Sequence, residues 1–400
     1  MKNHRVKISI FILLILAVVL AGGIVVAKWL GPADPYAVPH GKCRENTYEP
    51  DEKHVKYLGR SIYEKDSLWM VLSGTGAEFE FYGTRASILF YGDNTAMKLG
   101  GDPNSRARIA VYVNGERVQD FMMDELQKSV EVYASKEPKW CTVKVVKLSE
   151  AANSTAGIHS ITVDSVGGIR PTKEKDYLIE IIGDSITCGY GVDDEDKNHH
   201  FSTTTEDITK TYGYLAAEKL NADYSFVSYS GYGVLSGYCI TPGEPNTECT
   251  MGQYYDYVGN SAAYYRGSKA QKTVWAFAKQ PDVVVVNLGT NDASYTGNDP
   301  QKNKKFEAEY VAFLKQIRER NPGAHILCTL GIMGNGLYEN IVSAVEDYTG
   351  ETGDGNLSCM EFFMQQESDG YGADWHPSYV THRKAADRLA DEIALILKQK

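Results

Sequence analysis

The stretch YLIEIIGDSITCGYGV, residues 177–192, decides the fold. It begins with a short apolar run rich in β-branched residues, which predicts a buried strand at residues 178–182. The run ends in Gly-Asp-Ser, and the two glycines that follow predict a turn leading out of the strand. Ser185 therefore follows the carboxyl end of a strand, where α/β sheets collect ligands and catalytic groups. A serine at this point also caps helices, so this stretch alone leaves both interpretations open.

Two further blocks decide between these interpretations. Residues 283–292, VVVVNLGTND, are a second apolar run that ends in Gly-Thr-Asn-Asp, and residues 374–378, DWHPS, bring an aspartate and a histidine near the C-terminus. A hydroxyl, a base and a group that orients the base are what an activated serine nucleophile requires. We therefore predict that Ser185 is the nucleophile and that His376 is the base that takes its proton.

From residue 177 onward, apolar runs alternate with helical patterns. Strands are predicted at residues 178–182, 224–229, 283–288, 325–330 and 357–363. Helices are predicted at residues 209–220, 269–279, 303–320, 338–348 and 380–398. Such alternation indicates an α/β domain, here residues 176–400, with a mostly parallel sheet and helices on both faces.

Residues 51–170 show short apolar and alternating runs with frequent turn signals and no strong helical pattern. The clearest is RIAVYVNGERV, residues 108–118, in which Asn-Gly between two alternating runs predicts a hairpin. This region is expected to be an all-β sandwich of the jelly-roll type. It shows no evident binding constellation, so a supporting role is favoured over that of a carbohydrate-binding module.

The N-terminal region predicts membrane anchorage. Basic residues precede twenty uncharged residues, 8–27, which suffice to span a hydrocarbon core of ~30 Å as a helix. The charge distribution places the rest of the chain outside the cell. We predict that residues 1–30 form an uncleaved signal-anchor; a cleaved signal peptide, which would give a secreted protein, is the alternative. Residues 31–50 contain four prolines and are expected to form a tether.

Composition restricts the partners. The net charge of −11, with no basic run, argues against nucleic-acid binding. The spacing of the seven cysteines suggests no metal site. Disulfides are permitted outside the cell, and Cys239 and Cys249, which flank a loop with Pro and Gly, are the expected pair. The oligomeric state stays open.

The blocks Gly-Asp-Ser, Gly-Thr-Asn-Asp and the late Asp/His pair resemble the SGNH (GDSL) hydrolase superfamily in order and spacing. The resemblance implies a three-layer α/β/α domain with mostly parallel sheet. It also implies three donors for the oxyanion: the N–H groups of Ser185 and Gly231 and the side chain of Asn291. Gly233 lies two residues after Gly231 in the same loop and is the alternative.

The chain departs from this superfamily at one position. The triad aspartate usually lies three residues before the histidine, where this chain has Ala373. Asp374 lies only two residues before His376. Either Asp374 orients His376 in a shifted geometry, or a backbone carbonyl such as that of Trp375 does so and the enzyme works as a Ser/His dyad.

The joined sandwich and hydrolase regions, with GDSITCGYG and ADWHP, resemble carbohydrate esterase family 2. This resemblance implies removal of O-acetyl groups from acetylated polysaccharides such as xylan or glucomannan, with no metal or organic cofactor. It further implies that Trp375, beside His376, forms part of the sugar site. Two alternatives remain: an O-acetylesterase acting on the cell's own envelope glycans, and a glycan-binding surface protein without catalysis.

Overall fold

The computed structural model describes residues 34–97, 100–261, 264–265, 268–269 and 273–398. The predicted anchor, residues 1–30, lies outside these ranges and stays a prediction. No helix within the described ranges has the length and apolar character needed to cross a bilayer. Contacts along the chain group Lys42–Lys400 into one compact unit, separate from the residues before it.

The N-terminal part of this unit is an antiparallel sheet, which confirms the predicted all-β domain. Its strands are β1 (Arg44–Tyr48), β2 (Lys56–Leu58), β3 (Ile62–Glu64), β4 (Ser67–Met70), β5 (Gly76–Gly92), β6 (Arg108–Val113), β7 (Glu116–Met122), β8 (Gln127–Lys147) and β9 (Ala156–Pro171). They follow the order β3-β4-β9-β5-β8-β6-β7, with β1 paired to β9 and β2 paired to β5. Residues 44–48, expected as tether, thus belong to the sheet.

Strand length and turn chemistry explain the sandwich. The long strands β5, β8 and β9 alternate buried and more exposed residues, so one face of each packs into a common core that includes Phe79, Phe81 and Phe90. The predicted hairpin is confirmed: Asn114 and Gly115 join β6 to β7 with φ of 51° and 87°. Both values are left-handed, as a tight two-residue hairpin turn requires.

The second sheet contains the strand that leads into the Gly-Asp-Ser stretch, and this strand is the second in the spatial order of the sheet. Its strands are β10 (Leu178–Gly183), β11 (Asp223–Ser228), β14 (Val283–Asn287), β15 (His325–Ile332) and β16 (Leu357–Met364). All are parallel, in the order β11-β10-β14-β15-β16. The short strands β12 (Tyr264–Tyr265) and β13 (Ser268–Lys269) pair with each other outside this sheet.

Helices cover both faces of the parallel sheet. They are α1 (Ser185–Cys188), α2 (Tyr212–Lys219), α3 (Asp292–Thr296), α4 (Pro300–Arg320), α5 (Tyr338–Thr352) and α6 (Tyr379–Lys398). Val284 and Val286 of β14 pack in the cluster that contains residues of α4 and α5, whereas Val283 and Val285 pack with α2 and α6. Successive residues of a strand point to opposite faces, so this division confirms the predicted three-layer α/β/α arrangement.

Two expectations about local structure are wrong. The described residues from 273 to 279 are not helical; Trp275 and Phe277 instead lie with their rings near the guanidinium of Arg60, which comes from the sandwich. The expected disulfide is absent as well, since all seven cysteines are free thiols. Cys239 is buried, and its Sγ lies 3.8 Å from the hydroxyl of Ser236, which is therefore the polar neighbour of this thiol.

A buried ion pair joins the sandwich to the parallel sheet. Arg60, just after β2, donates to Glu180 of β10 over 3.1 Å, and both side chains are almost fully buried. The Arg60 guanidinium also lies 4.9 Å from the ring centroid of Tyr255 and donates to the carbonyl of Tyr257. Removing one partner of such a pair leaves a buried charge uncompensated, so it fixes how the two sheets meet.

Candidate active site

Ser185 is the first residue of helix α1, directly after strand β10. The carboxylate of Asp184 caps this short helix by accepting the N–H of Ile186 at 3.0 Å. A Cβ at Gly183 would lie 2.0 Å from Oγ1 of Thr187, so only glycine permits this sharp turn. The sequence thereby turns the serine side chain toward the carboxyl edge of the sheet, where only 8% of Ser185 is exposed.

His376 lies against the nucleophile. Its Nε2 is 2.8 Å from Oγ of Ser185, and its Nδ1 is 3.1 Å from the carbonyl oxygen of Ala373. A carbonyl can only accept a hydrogen bond, so Nδ1 carries the proton and the lone pair of Nε2 faces the serine hydroxyl. The structure thus brings together the predicted nucleophile and the predicted base.

Of the two predicted ways of orienting His376, the structure favours a backbone carbonyl over the carboxylate of Asp374. Its carboxylate accepts from the hydroxyl of Tyr190 at 2.5 Å, from Nδ1 of His200 at 2.9 Å and from the N–H of Phe201 at 3.1 Å. The reason is the backbone: φ is 50° at Asp374 and 64° at the next residue, a left-handed turn that directs the carboxylate away from the imidazole. The carbonyl that orients His376 belongs to Ala373, not to Trp375.

This geometry predicts a mild effect of replacing Asp374. We expect Asp374→Asn to lower kcat on 4-nitrophenyl acetate by less than about 10-fold, whereas loss of a true triad carboxylate costs roughly 10⁴-fold. The amide oxygen still accepts from Tyr190, and the Ala373 carbonyl still fixes the His376 tautomer. Steady-state kinetics of the variant and the wild type measure the effect. A fall in kcat of roughly 10³-fold or more would show that Asp374 acts as the triad carboxylate after all.

Tyr190 supports the histidine from one side. Its ring stacks on the His376 ring with centroids 3.8 Å apart and planes 18° apart, while its hydroxyl donates to Asp374. Tyr190 thus links Asp374 to His376: it contacts the aspartate by a hydrogen bond and the histidine by ring stacking. Sequence reasoning missed this residue, although it lies in the GDSITCGYG block.

Two backbone N–H groups are free to receive an oxyanion. In the part of the chain that the structure describes, the N–H groups of Ser185 and Gly231 donate to no protein acceptor. Gly231 has φ of 79°, and a Cβ there would meet only Tyr238 at 4.0 Å, so the position faces open space. Gly233 is different, because its N–H donates to the carbonyl of Cys249 at 3.1 Å. The geometry therefore favours Gly231 over Gly233.

Asn291, the third predicted donor, lies at the same edge but has partners. Its Nδ2 donates to the carbonyl of Tyr232 at 2.9 Å and to Asp184 at 3.3 Å. The second bond is long, so it is the one that an oxyanion would replace. The next residue, Asp292, accepts the N–H groups of Val234, Leu235 and Ser236 and thereby fixes the loop that follows Gly231.

Burial sets the protonation of the base. It lowers the pKa of His376 to about 4, against the smaller opposing effects of the Ala373 carbonyl and the Asp374 charge. Desolvation disfavours the imidazolium, so at neutral pH the histidine is a neutral base. Burial also raises the pKa of Asp184 to about 7 and that of Asp292 to about 6.

The pKa of His376 predicts the acidic limb of the pH profile. Because only neutral His376 can take the serine proton, kcat/KM should rise with pH through a midpoint near 4. In Asp374→Asn the midpoint should move down, since the lost negative charge no longer favours the imidazolium. Initial rates with 4-nitrophenyl acetate from pH 3 to 8 measure both midpoints. A midpoint near 6.5, the ordinary value for histidine, would contradict the burial argument.

Two exposed aromatic side chains lie close in sequence to predicted site residues: Trp375 directly precedes His376, and Tyr238 follows Gly231. Trp375 is 49% exposed; its ring lies 5.3 Å from that of Tyr371 and 4.0 Å from Nζ of Lys197. On the loop that carries Gly231, the N–H of Tyr238 donates to the Gly231 carbonyl at 2.8 Å while its side chain is 58% exposed. Sequence reasoning identified Trp375 but missed Tyr238, whose place beside Gly231 depends on the loop fold.

Family comparisons agree with this architecture. Residues 179–389 match the model of the GDSL-like lipase/acylhydrolase family, and residues 57–172 match that of the carbohydrate esterase 2 N-terminal domain. Cellulase/esterase CelE of Acetivibrio thermocellus is 30% identical over 87% of this chain and 40% of its own length. An acetylxylan esterase/glucomannan deacetylase of Cellvibrio japonicus is 28% identical over 59% of this chain and 64% of its own. The chain thus spans less than two thirds of these two relatives.

Solved structures show the same fold. A family two carbohydrate esterase from Clostridium thermocellum, in complex with cellohexaose, superposes with a TM-score of 0.72 at 28% identity, covering 86% of this chain and 99% of that one. An acetyl xylan esterase from the rumen bacterium Butyrivibrio proteoclasticus gives a TM-score of 0.78 at 22% identity over 90% and 99% of the two chains. Because the GDSL-like model matches more than half of its residues, this chain belongs to the GDSL-like (SGNH) acylhydrolase family, and it is similar to family 2 carbohydrate esterases.

Proposed function

We propose that the protein is a serine esterase that removes O-acetyl groups from polysaccharides of the xylan or glucomannan type through an acyl-enzyme intermediate. The observation that carries the proposal is the 2.8 Å contact between Oγ of Ser185 and Nε2 of His376. The N–H groups of Ser185 and Gly231, which donate to no acceptor among the described residues, are the proposed oxyanion donors. Nucleophile, neutral base and oxyanion donors together are what acyl transfer requires.

In the first half-reaction, His376 Nε2 takes the proton of Ser185 as Oγ attacks the acetyl carbonyl carbon. The negative charge that develops on the carbonyl oxygen is stabilised by the N–H groups of Ser185 and Gly231, with Asn291 as a third donor. The tetrahedral intermediate then collapses, and the bond from the acetyl carbon to the sugar oxygen breaks. His376 returns its proton to that oxygen, which leaves as the free hydroxyl.

In the second half-reaction, water replaces the sugar. His376 Nε2 takes a proton from water, and the resulting hydroxide attacks the acetyl-Ser185 carbonyl. As the second tetrahedral intermediate collapses, the bond from the acetyl carbon to Oγ breaks and His376 returns its proton to Oγ. Acetic acid leaves and ionises to acetate in solution. The imidazolium lacks a carboxylate partner throughout, because the Ala373 carbonyl occupies Nδ1. The carbonyl fixes the tautomer, and its dipole supports the charge less strongly than an aspartate would.

The polysaccharide substrate is supported by surface chemistry and by relatives. The exposed side chains of Trp375 and Tyr238, with the half-buried Tyr371 beside Trp375, suit stacking against the C–H face of sugar rings. The Cellvibrio relative is named acetylxylan esterase/glucomannan deacetylase, and the Clostridium esterase was solved with cellohexaose. A polymer of this kind cannot enter a cell, so we also propose an extracellular protein, held at the membrane by residues 1–30 or secreted if these are cleaved.

The experiment is acetate release by residues 31–400 from acetylated xylan, acetylated glucomannan and O-acetylated peptidoglycan, side by side. Turnover of a plant polymer is the expected result. Trp375→Ala should raise KM on that polymer several-fold while 4-nitrophenyl acetate, which has no sugar, is hydrolysed as before. If only O-acetylated peptidoglycan were deacetylated, the protein would be an O-acetylesterase of the cell's own envelope glycans, with the same catalytic residues. Failure on all polymers and on the simple ester would refute the esterase proposal.

A further inference from the structure

A carboxylate from the sandwich reaches the catalytic loops. Glu150 lies between strands β8 and β9 and is 2% exposed. Its Oε2 accepts the N–H of Ser230 at 2.8 Å and lies 3.7 Å from the thiol Sγ of Cys188. One carboxylate oxygen from the sandwich therefore contacts two separate segments of the hydrolase domain.

These two segments carry the free oxyanion donors. Ser230 directly precedes Gly231, and Cys188 lies one helical turn after Ser185 in α1. The Ser230 N–H belongs to the rigid peptide unit directly before the one that carries the Gly231 N–H, and the two units share the Ser230 Cα. Fixing the first unit therefore anchors the Cα from which the Gly231 N–H is placed, and it leaves only the backbone rotations at Ser230 to move that donor. Glu150 is thus placed to hold both donors relative to each other.

The carboxylate is itself held in place by buried groups. The N–H of Glu150 donates to Glu206 at 2.8 Å, and Asn153 donates to Oε1 of Glu150 at 3.5 Å. Lys147, fully buried, donates to the carbonyls of Ser149 at 2.6 Å and Glu150 at 2.9 Å. Burial lowers the pKa of Lys147 to about 8, and burial raises the pKa values of Glu150 and Glu206 above their ordinary values.

We propose that Glu150 is a positioning residue for the oxyanion donors: it joins the turn of Ser185 to the loop of Gly231 at the spacing that the tetrahedral intermediate needs. The inference rests on the proposed function and adds to it a catalytic task for the sandwich, which supplies this side chain. Oxyanion donors act through their exact placement, and loss of one costs about 10²- to 10³-fold in kcat. A displaced donor should cost part of that factor.

Two substitutions distinguish the effect of the length of the Glu150 side chain from the effect of its charge. Glu150→Asp keeps the charge but is one methylene shorter, so it cannot contact Ser230 from the same backbone position. Glu150→Gln keeps the length and an acceptor oxygen for the Ser230 N–H. We expect kcat on 4-nitrophenyl acetate to fall about 10- to 100-fold in Glu150→Asp and about 3- to 10-fold in Glu150→Gln. KM should stay within about 2-fold, since oxyanion donors act on the transition state.

Glu180→Gln is the matched control. Glu180 is also a buried carboxylate that bridges sandwich and sheet, through Arg60. Among the described residues its other hydrogen bonds come from Ser225 and Tyr255, which lie outside the Ser185 turn and outside the Ser230–Gly231 segment. Glu180→Gln should lower the midpoint of thermal unfolding at least as much as the Glu150 variants do. Its kcat should stay within about 2-fold of the wild-type value, because a destabilised but folded enzyme keeps its transition-state contacts.

The outcomes are distinguishable. Wild-type kcat in either folded Glu150 variant, or an equal fall of kcat in Glu180→Gln, would overturn the inference. If Glu150→Asp does not fold, Glu150→Gln decides alone by the same criterion. If the wild type itself does not hydrolyse the ester, the proposed function fails, and this result is separate from any effect of Glu150.

Discussion

Ser185→Ala should abolish ester hydrolysis, lowering kcat on 4-nitrophenyl acetate by at least about 10⁴-fold. Without Oγ no acetyl-enzyme can form, and water has no activated path to the carbonyl other than through His376. The free N–H groups of Ser185 and Gly231 remain, so a small residual rate above the uncatalysed one is expected. Steady-state rates and mass spectrometry of the acetylated protein, trapped at low pH, measure both effects.

Thr187→Val is the matched control for this prediction. It removes a hydroxyl from the same helical turn, but one that bonds to Tyr212 at 2.7 Å and not to His376. Stability should fall by about 1 kcal/mol, the ordinary contribution of a hydrogen bond, with kcat within about 3-fold of the wild type. Substantial activity in Ser185→Ala would transfer the nucleophile's role elsewhere and refute the mechanism.

His376→Asn should be nearly as damaging, with a loss of at least about 10⁴-fold in kcat. The serine hydroxyl is 2.8 Å from Nε2 of this residue, and in the described structure no other base contacts Oγ. Asparagine cannot take a proton at neutral pH. Because nucleophile and base act as one unit, adding Ser185→Ala to this variant should cost little more than either single change.

The same substitution at His382 controls for the loss of a buried imidazole. His382 lies in α6 and is fully buried, and its Nδ1 accepts the N–H of Tyr212 at 3.2 Å. The amide oxygen of asparagine can replace Nδ1 in that contact, so His382→Asn should cost stability and leave kcat within about 3-fold. If both variants lost activity equally, the effect of His376→Asn would be structural.

The features that could be predicted from the sequence are those that depend on the chemistry of neighbouring residues. The run before Ser185 predicts a buried strand because β-branched residues pack on both faces of a parallel sheet, and Asn114-Gly115 predicts a hairpin because both residues accept positive φ. The pairing of Ser185 with His376 followed from three motif blocks in the order of a known superfamily. The structure places these two side chains in contact.

What could not be predicted depends on backbone turns of non-glycine residues and on contacts between distant segments. Spacing placed Asp374 near His376, but consecutive left-handed residues turn its carboxylate to Tyr190 instead. Glu150 contacts Ser230 eighty residues away, through the meeting of two domains that no local pattern specifies. The helix expected at 269–279 failed because Phe277 packs against Arg60 of the sandwich, a tertiary contact that overrides local propensity.

The distance along the chain between nucleophile and base has a consequence for biosynthesis. Oγ of Ser185 and Nε2 of His376 belong to residues 191 positions apart in sequence, and four further strands of the parallel sheet, β11, β14, β15 and β16, intervene. Long-range pairing of this kind forms late in folding, since loop closure must be complete before the contacts can stabilise it. A growing chain can therefore contain the whole sandwich and the Gly-Asp-Ser turn yet remain inert. The proposed hydrolytic activity can arise only after His376 has been synthesised and its loop has docked against the Ser185 turn.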